Sequence, residues 1–169
     1  MSLLSLAIRL VVLCALLWLA VIDVRIRRLP TRTVLAIGVL FFVDALIVRL
    51  PVTEVLAHVL LAFGVLVVCV ALFAARMLGG GDAKLASIIF LWTGPALSLP
   101  ALTLISVIGT LVALISLATR HMSHGQRSRI MRALAMFSGA RGVPYGVALA
   151  LGGGSIIVLP SLLPLILSR

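Results

Sequence analysis

Leu3–Ile22, LLSLAIRLVVLCALLWLAVI, is followed at once by Asp23-Val24-Arg25. A helix needs ~20 apolar residues to cross a hydrocarbon layer roughly 30 Å thick, and this run supplies them with Arg9 as its one charge. The apolar part of a secretory leader is shorter and ends on small residues, whereas here an aspartate and an arginine follow. The stretch predicts a first membrane helix. Runs of the same kind recur at Thr33–Leu50, Val55–Ala75, Leu85 to about Ser98, Ala101–Ala118 and Gly146–Leu167. All are expected to be helical, because a lone strand leaves its backbone polar groups unbonded in lipid. Gly94-Pro95 and Pro100 mark a tight turn between the fourth and fifth runs.

The whole chain agrees with that start. Its 169 residues are 63% hydrophobic, with 14 Lys and Arg against 4 Asp and Glu, a balance that excludes an ordinary water-soluble domain. Six helices of ~20 residues leave about 49 for connections. The expected fold is therefore all-α, a polytopic membrane bundle of about six transmembrane helices. Residues 1–169 are expected to form a single transmembrane domain with no separate soluble one.

The net charge of +10 does not point to nucleic acid, which would call for bases on one face with stacking aromatics among them. The bases occupy short connections instead. Arg25, Arg27, Arg28 and Arg32 follow the first helix, Arg76 and Lys84 the third, and Arg120, Arg127, Arg129, Arg132 and Arg141 the fifth, together 11 of 14. Basic loops stay on the cytoplasmic side, so both termini are expected to face outward, with Arg9, Arg49 and Arg169. In the long fifth loop, Ile130, Leu134 and Phe137 lie at helical spacing opposite Arg129 and Arg132, as in a helix lying on anionic headgroups. His121 and His124 in that loop have no third ligand nearby, so no metal is expected. Cys14 and Cys69 fall inside apolar runs and read as small buried hydrophobes. His58 is expected to hydrogen-bond within the bundle, and Pro160 and Pro164 to bend the last helix.

The four acids hold most of the functional information, because an ionisable group in a membrane helix is costly. Asp44 lies 11 residues beyond Thr33, about 16 Å along a helix and past mid-bilayer, with Arg49 as the nearest base in sequence. Glu54 falls in an outer loop. Asp23, at the end of helix one, and Asp82, at the start of helix four, share the cytoplasmic boundary. Each has a purely structural reading: Asp82 as a helix N-cap, Asp23 as a carboxylate reaching water and pairing with Arg25, Arg27 or Arg28. As a pair they have a catalytic one, in which one carboxylate takes a proton from water while the other, still protonated, polarises a carbonyl. Helix polarity favours Asp82 as the base. Gly79-Gly80-Gly81 before Asp82 permits close backbone approach, and the run lacks the Gly-Lys-Ser/Thr of a phosphate loop.

Three blocks carry a family resemblance: Asp23-Val24-Arg25-Ile26-Arg27-Arg28-Leu29-Pro30, Gly79-Gly80-Gly81-Asp82-Ala83-Lys84-Leu85, and Val143-Pro144-Tyr145-Gly146 running on to Gly152-Gly153. In this order the chain resembles the type IV prepilin peptidases, the GxGD membrane aspartyl proteases, and by its size their compact branch serving Flp-type (tight-adherence) pili. The resemblance implies an aspartyl endopeptidase of the bacterial inner membrane. It would remove the short basic leader of prepilin or pseudopilin precursors at the cytoplasmic face, without metal or organic cofactor. It makes Asp23 and Asp82 the catalytic pair and places Pro30, Gly79, Gly80, Gly81, Lys84, Pro144, Tyr145 and Gly146 around them. Two departures stand out. Leu29-Pro30-Thr31 replaces the usual Ile-Pro-Asn, and the insert with paired CxxC motifs of the larger, methylating members is missing, so methyltransferase activity is not implied. The competing expectations are a small carrier or proton pathway built on Asp44, and a non-catalytic scaffold of a pilus or secretion machine.

Overall fold

The computed structural model describes residues 3–26, 29–118 and 145–167, and these are almost entirely helical. Five helices follow one another: α1 (Leu3–Ile26), α2 (Thr31–Ile47), α3 (Val52–Ala74), α4 (Gly80–Ala118) and α5 (Tyr145–Leu167). By length and composition Leu3–Ile26, Val52–Ala74 and Gly80–Leu117 are able to cross a membrane, and Tyr145–Pro160 is a shorter apolar helix. Large apolar side chains such as Leu4, Val11, Val39, Leu60, Phe63 and Leu111 lie exposed on the outside. So wide an apolar surface suits lipid and not water. The long fifth loop, with His121, His124 and Pro144, lies outside the described residues, as do Arg27 and Arg28.

The expected turn between the fourth and fifth runs is present at Gly94-Pro95, so the fourth run stops short of Ser98, and Pro100 lies inside the second arm. Gly94 takes φ 61°, ψ −177°, a conformation essentially confined to glycine. The chain folds back there. In a straight helix Asp82 and Ala113 would stand about 46 Å apart, yet both border one cavity. On α5, a Cβ at Gly153 would meet Ile89 of the first arm, and one at Gly152 would lie 2.9 Å from the Ile105 Cα of the second.

The turn is held from outside. In an unbroken helix the Leu91 carbonyl would accept a hydrogen bond from residue 95, but Pro95 has no N–H to give. His58 Nδ1 of α3 donates to that carbonyl at 2.7 Å, the intrabundle bond foreseen for it. The His58 ring stacks on Phe41, which meets Trp92 edge-on, and Trp92 Nε1 donates to the Ile37 carbonyl at 2.9 Å. His58, Phe41 and Trp92 thus tie α2, α3 and α4 together.

Several boundaries move. Helix four begins at Gly80, not Leu85, so the glycines open it and Asp82 sits in its first turn instead of at the N-cap. Helix three ends at Ala74 without them, in a C-terminal turn where Arg76 has φ 59° and Met77 N–H donates to the Leu72 carbonyl; this is the Schellman arrangement with arginine where glycine is usual. Glu54 belongs to the first turn of α3, not to a loop. Cys14 is exposed and Cys69 half-buried, because each points partly away from the packed seam that its apolar neighbours fill. That seam runs through Val12, Leu16, Leu19, Ile37, Leu85 and Ile89.

Asp44 finds a partner other than Arg49. It is buried, and its Oδ2 receives Arg9 Nη2 at 3.1 Å and Nε at 3.2 Å, while Arg9 Nη1 donates to the Ile157 carbonyl at 3.4 Å. Sequence distance hid the pair, since Arg9 and Asp44 lie on different helices. Removing one partner strands a buried charge at a cost of roughly 3 kcal/mol or more. Arg9→Gln is expected to lower the melting temperature in detergent, and Arg9→Gln with Asp44→Asn to recover part of the loss.

Gly94→Ala is expected to cost about 1–3 kcal/mol from backbone strain alone. It costs more where His58 is present, because a Cβ there would overlap the His58 ring. In a double-mutant cycle by thermal denaturation, the Gly94→Ala penalty should shrink in the His58→Ala background.

Candidate active site

Asp23 lies in the last turn of α1, turned inward and buried. Its Oδ2 accepts the backbone N–H of Gly146, the second residue of α5, at 3.0 Å. Only glycine allows this seating: a Cβ at position 146 would stand 2.7 Å from that oxygen and 2.8 Å from the carboxyl carbon. A backbone N–H in the first turn of a helix has no partner within the helix, so donor and acceptor satisfy one another.

Asp82 is seated the same way, over Gly79, where a Cβ would fall 2.7 Å from its Oδ2. It borders a cavity of about 420 Å³ whose rim includes Tyr145 and Ala148 of α5. Asp23 thus bonds the first turn of α5 through Gly146, and Asp82 lines a cavity that Tyr145, the residue before Gly146, also lines. The helix ends around them are fastened too. Lys84 Nζ donates to Thr31 Oγ1 at 3.3 Å. A Cβ at Gly81 would press on Leu29 at 3.2 Å, and one at Gly80 on Phe73 at 3.3 Å. Pro30 caps α2 with its carbonyl, which takes the N–H groups of Thr33 and Val34.

The residues expected around the pair are thus placed as follows. Gly79, Gly80, Gly81, Lys84 and Pro30 shape the ends of α4 and α2. Tyr145, half-exposed, lines the cavity, and Gly146 touches Asp23 directly. Asp44 stays apart, about 20 Å up the bundle from Asp23 by the rise of α1 between residues 9 and 23. Among the described residues no three His, Cys, Asp or Glu side chains gather as metal ligands would. The sequence reading missed the second arm of α4 as a wall of the cavity, through Ser106, Gly109, Thr110 and Ala113. Their i, i+3, i+4, i+7 spacing was a visible signal, but nothing in it says which face is turned to Asp82.

An all-helical bundle with apolar, membrane-length helices and two acids gathered at one end of it defines a class of membrane protein. The particular family follows from comparison: the chain belongs to the type IV leader peptidase family, whose sequence model matches residues 10–114. That match takes in both Asp23 and Asp82 and stops short of α5. No curated protein and no solved structure matches the chain.

Gly146→Ala should improve the intrinsic helix propensity of α5 and still damage the enzyme. With its methyl forced against the Asp23 carboxyl, peptidase activity is expected to fall at least about tenfold, equivalent to ~1.4 kcal/mol in the barrier. Helix content by circular dichroism should remain unchanged.

Proposed function

We propose that the protein is a membrane-embedded aspartyl endopeptidase in which Asp23 and Asp82 form the catalytic pair. The observation that carries this reading is that Asp23 bonds Gly146 at the start of α5 and Asp82 lines a cavity shared with Tyr145, within a peptidase family match that contains both aspartates. Asp23 takes the part of the base, since its charge is held by the Gly146 N–H and by the positive end of α5. This exchanges the roles that the polarity of α1 and α4 alone would give. Asp23 accepts a proton from water, and the hydroxide attacks the peptide carbonyl carbon. Asp82, protonated, donates to the carbonyl oxygen. Collapse of the tetrahedral intermediate breaks the C–N bond as the proton held on Asp23 passes to the leaving amine, and one hydroxyl proton of the intermediate returns to Asp82, restoring the starting pair.

The substrate proposed is a prepilin-like precursor, cut between a short basic leader and an apolar helix. A site at helix ends, near the headgroups, meets water and an incoming membrane helix together. With α4 counted as two arms, the proposed topology has six helical rods, with the ends of α1 and α3 and the starts of α2, α4 and α5 on one side. The basic connections make that side the cytoplasmic face of the inner membrane, with both termini outward and anionic headgroups beside the loops. The whole chain then acts as one peptidase domain, of the compact Flp-pilus kind. The pairing of Asp44 with Arg9 and of Arg9 with the Ile157 carbonyl supports a structural staple over a carrier's ion site.

Co-expression with a prepilin-like precursor tests this. Leader removal is expected to disappear in Asp23→Asn and in Asp82→Asn and to persist in Asp44→Asn. Loss confined to Asp44→Asn would favour the carrier, and full processing by every variant would favour the scaffold. The pH–rate profile should show two ionisations, as a coupled carboxyl pair requires. A single ionisation between about pH 3 and pH 9 contradicts a shared-proton dyad.

A further inference from the structure

The cavity beside Asp82 extends well past the carboxylate. It runs along the second arm of α4 from Ala113 to Ile105, about 12 Å by helical rise, or roughly two turns of any helix laid alongside. Its volume of about 420 Å³ falls in the usual range of ligand sites, ~300–1,000 Å³. Among the described residues Asp82 is the one charged residue on its wall. Ser106 and Thr110 are exposed and Tyr145 half-exposed, so the groove opens at the surface of the bundle. Thr110 Oγ1 is already engaged with the Ser106 carbonyl at 2.8 Å, which leaves the wall with little polar demand of its own.

Two further features say what kind of occupant fits. The small residues Ser106, Gly109, Thr110 and Ala113 let a helical backbone come close, as in membrane helix pairs. At Gly109 the space is free, since an added Cβ would meet only Ala148 Cβ, at an ordinary 3.6 Å. α3 contributes a further wall, through Cys69 and Leu72; it has no buried residue and packs chiefly on α4.

We infer that this groove seats the apolar segment of the precursor on the C-terminal side of the scissile bond, with α3 as one of its walls and Gly109 as the residue that sets its depth. The assignment rests on the catalytic reading of Asp82. The groove is continuous with that carboxylate, so a chain lying in it leads directly to the bond to be cut, while the basic leader stays in water. A second apolar groove, between α1 and α5 and lined by Val21, Arg25 and Leu151, has no carboxylate on its wall and serves as the internal control.

The test compares two substrates: the full membrane precursor, and a short soluble peptide spanning the cleavage site without the apolar segment. Gly109→Leu, which fills the groove, is expected to raise KM for the precursor about tenfold or more, and KM for the peptide by a clearly smaller factor. Ala113→Leu should act in the same direction, and Val21→Trp, in the control groove, should change neither. As a direct measurement, a photoreactive maleimide on Cys69, in a Cys14→Ser, Asp82→Asn background, should capture the apolar segment of the uncut precursor. Equal precursor kinetics in Gly109→Leu, Ala113→Leu and the parent, or capture from Val21→Cys but not from Cys69, overturns the groove alone. Peptide cleavage that survives Asp82→Asn overturns the catalytic reading and this assignment with it.

Discussion

A carboxylate buried in a membrane protein must be given its hydrogen bonds by the protein, because the surrounding lipid has none to give. Asp23 is in that position, and α5 answers with the N–H of Gly146, which its own helix cannot use. The bond works only with the two helices almost in contact, and that fixes much else. Position 146 must be glycine, and the end of α1 and the start of α5 must share one depth. Asp82 lines a cavity that Tyr145, the residue before Gly146, also lines. The unmet valence of one side chain and the unmet donor of one helix end thereby locate the candidate site.

The opposite end of the bundle keeps that corner in register. The fold-back at Gly94 lays the two arms of α4 side by side, and glycines 152 and 153 let α5 bed into both. His58 bonds the carbonyl that Pro95 leaves open, and Arg9 joins α1 to Asp44 of α2 and to the backbone of α5. The bonds of His58 to Leu91, Trp92 to Ile37, Gly146 to Asp23 and Arg9 to Asp44 all span helices. In lipid, where the hydrophobic effect does not distinguish a neighbouring helix from an acyl chain, such bonds and close glycine contacts decide which helices meet.

The site also has a shape suited to its surroundings. Its carboxylates stand at helix ends, and its cavity continues along the second arm of α4. Hydrolysis needs the first property and a membrane-anchored substrate needs the second. α3, none of whose residues is buried, borders the cavity, whereas Asp23 is itself buried.

How much of this was legible beforehand depends on the range of the interaction. Runs such as Leu3–Ile22 and Val55–Ala75 declared themselves helices because ~20 apolar residues in lipid have no other stable form. The Asp23 and Asp82 blocks stood out because acids are scarce in such a chain, and Gly94-Pro95 announced a turn by local backbone chemistry. These are properties of neighbouring residues. The helix–helix choices were not legible: Arg9 for Asp44 rather than nearby Arg49, Gly146 as the donor to Asp23, and the second arm of α4 as the wall facing Asp82. Each joins groups far apart in sequence, and apolar stripes of similar composition surround every helix. Which faces meet was settled only by the packing of the whole bundle, through close contacts at single glycines and a handful of polar bonds.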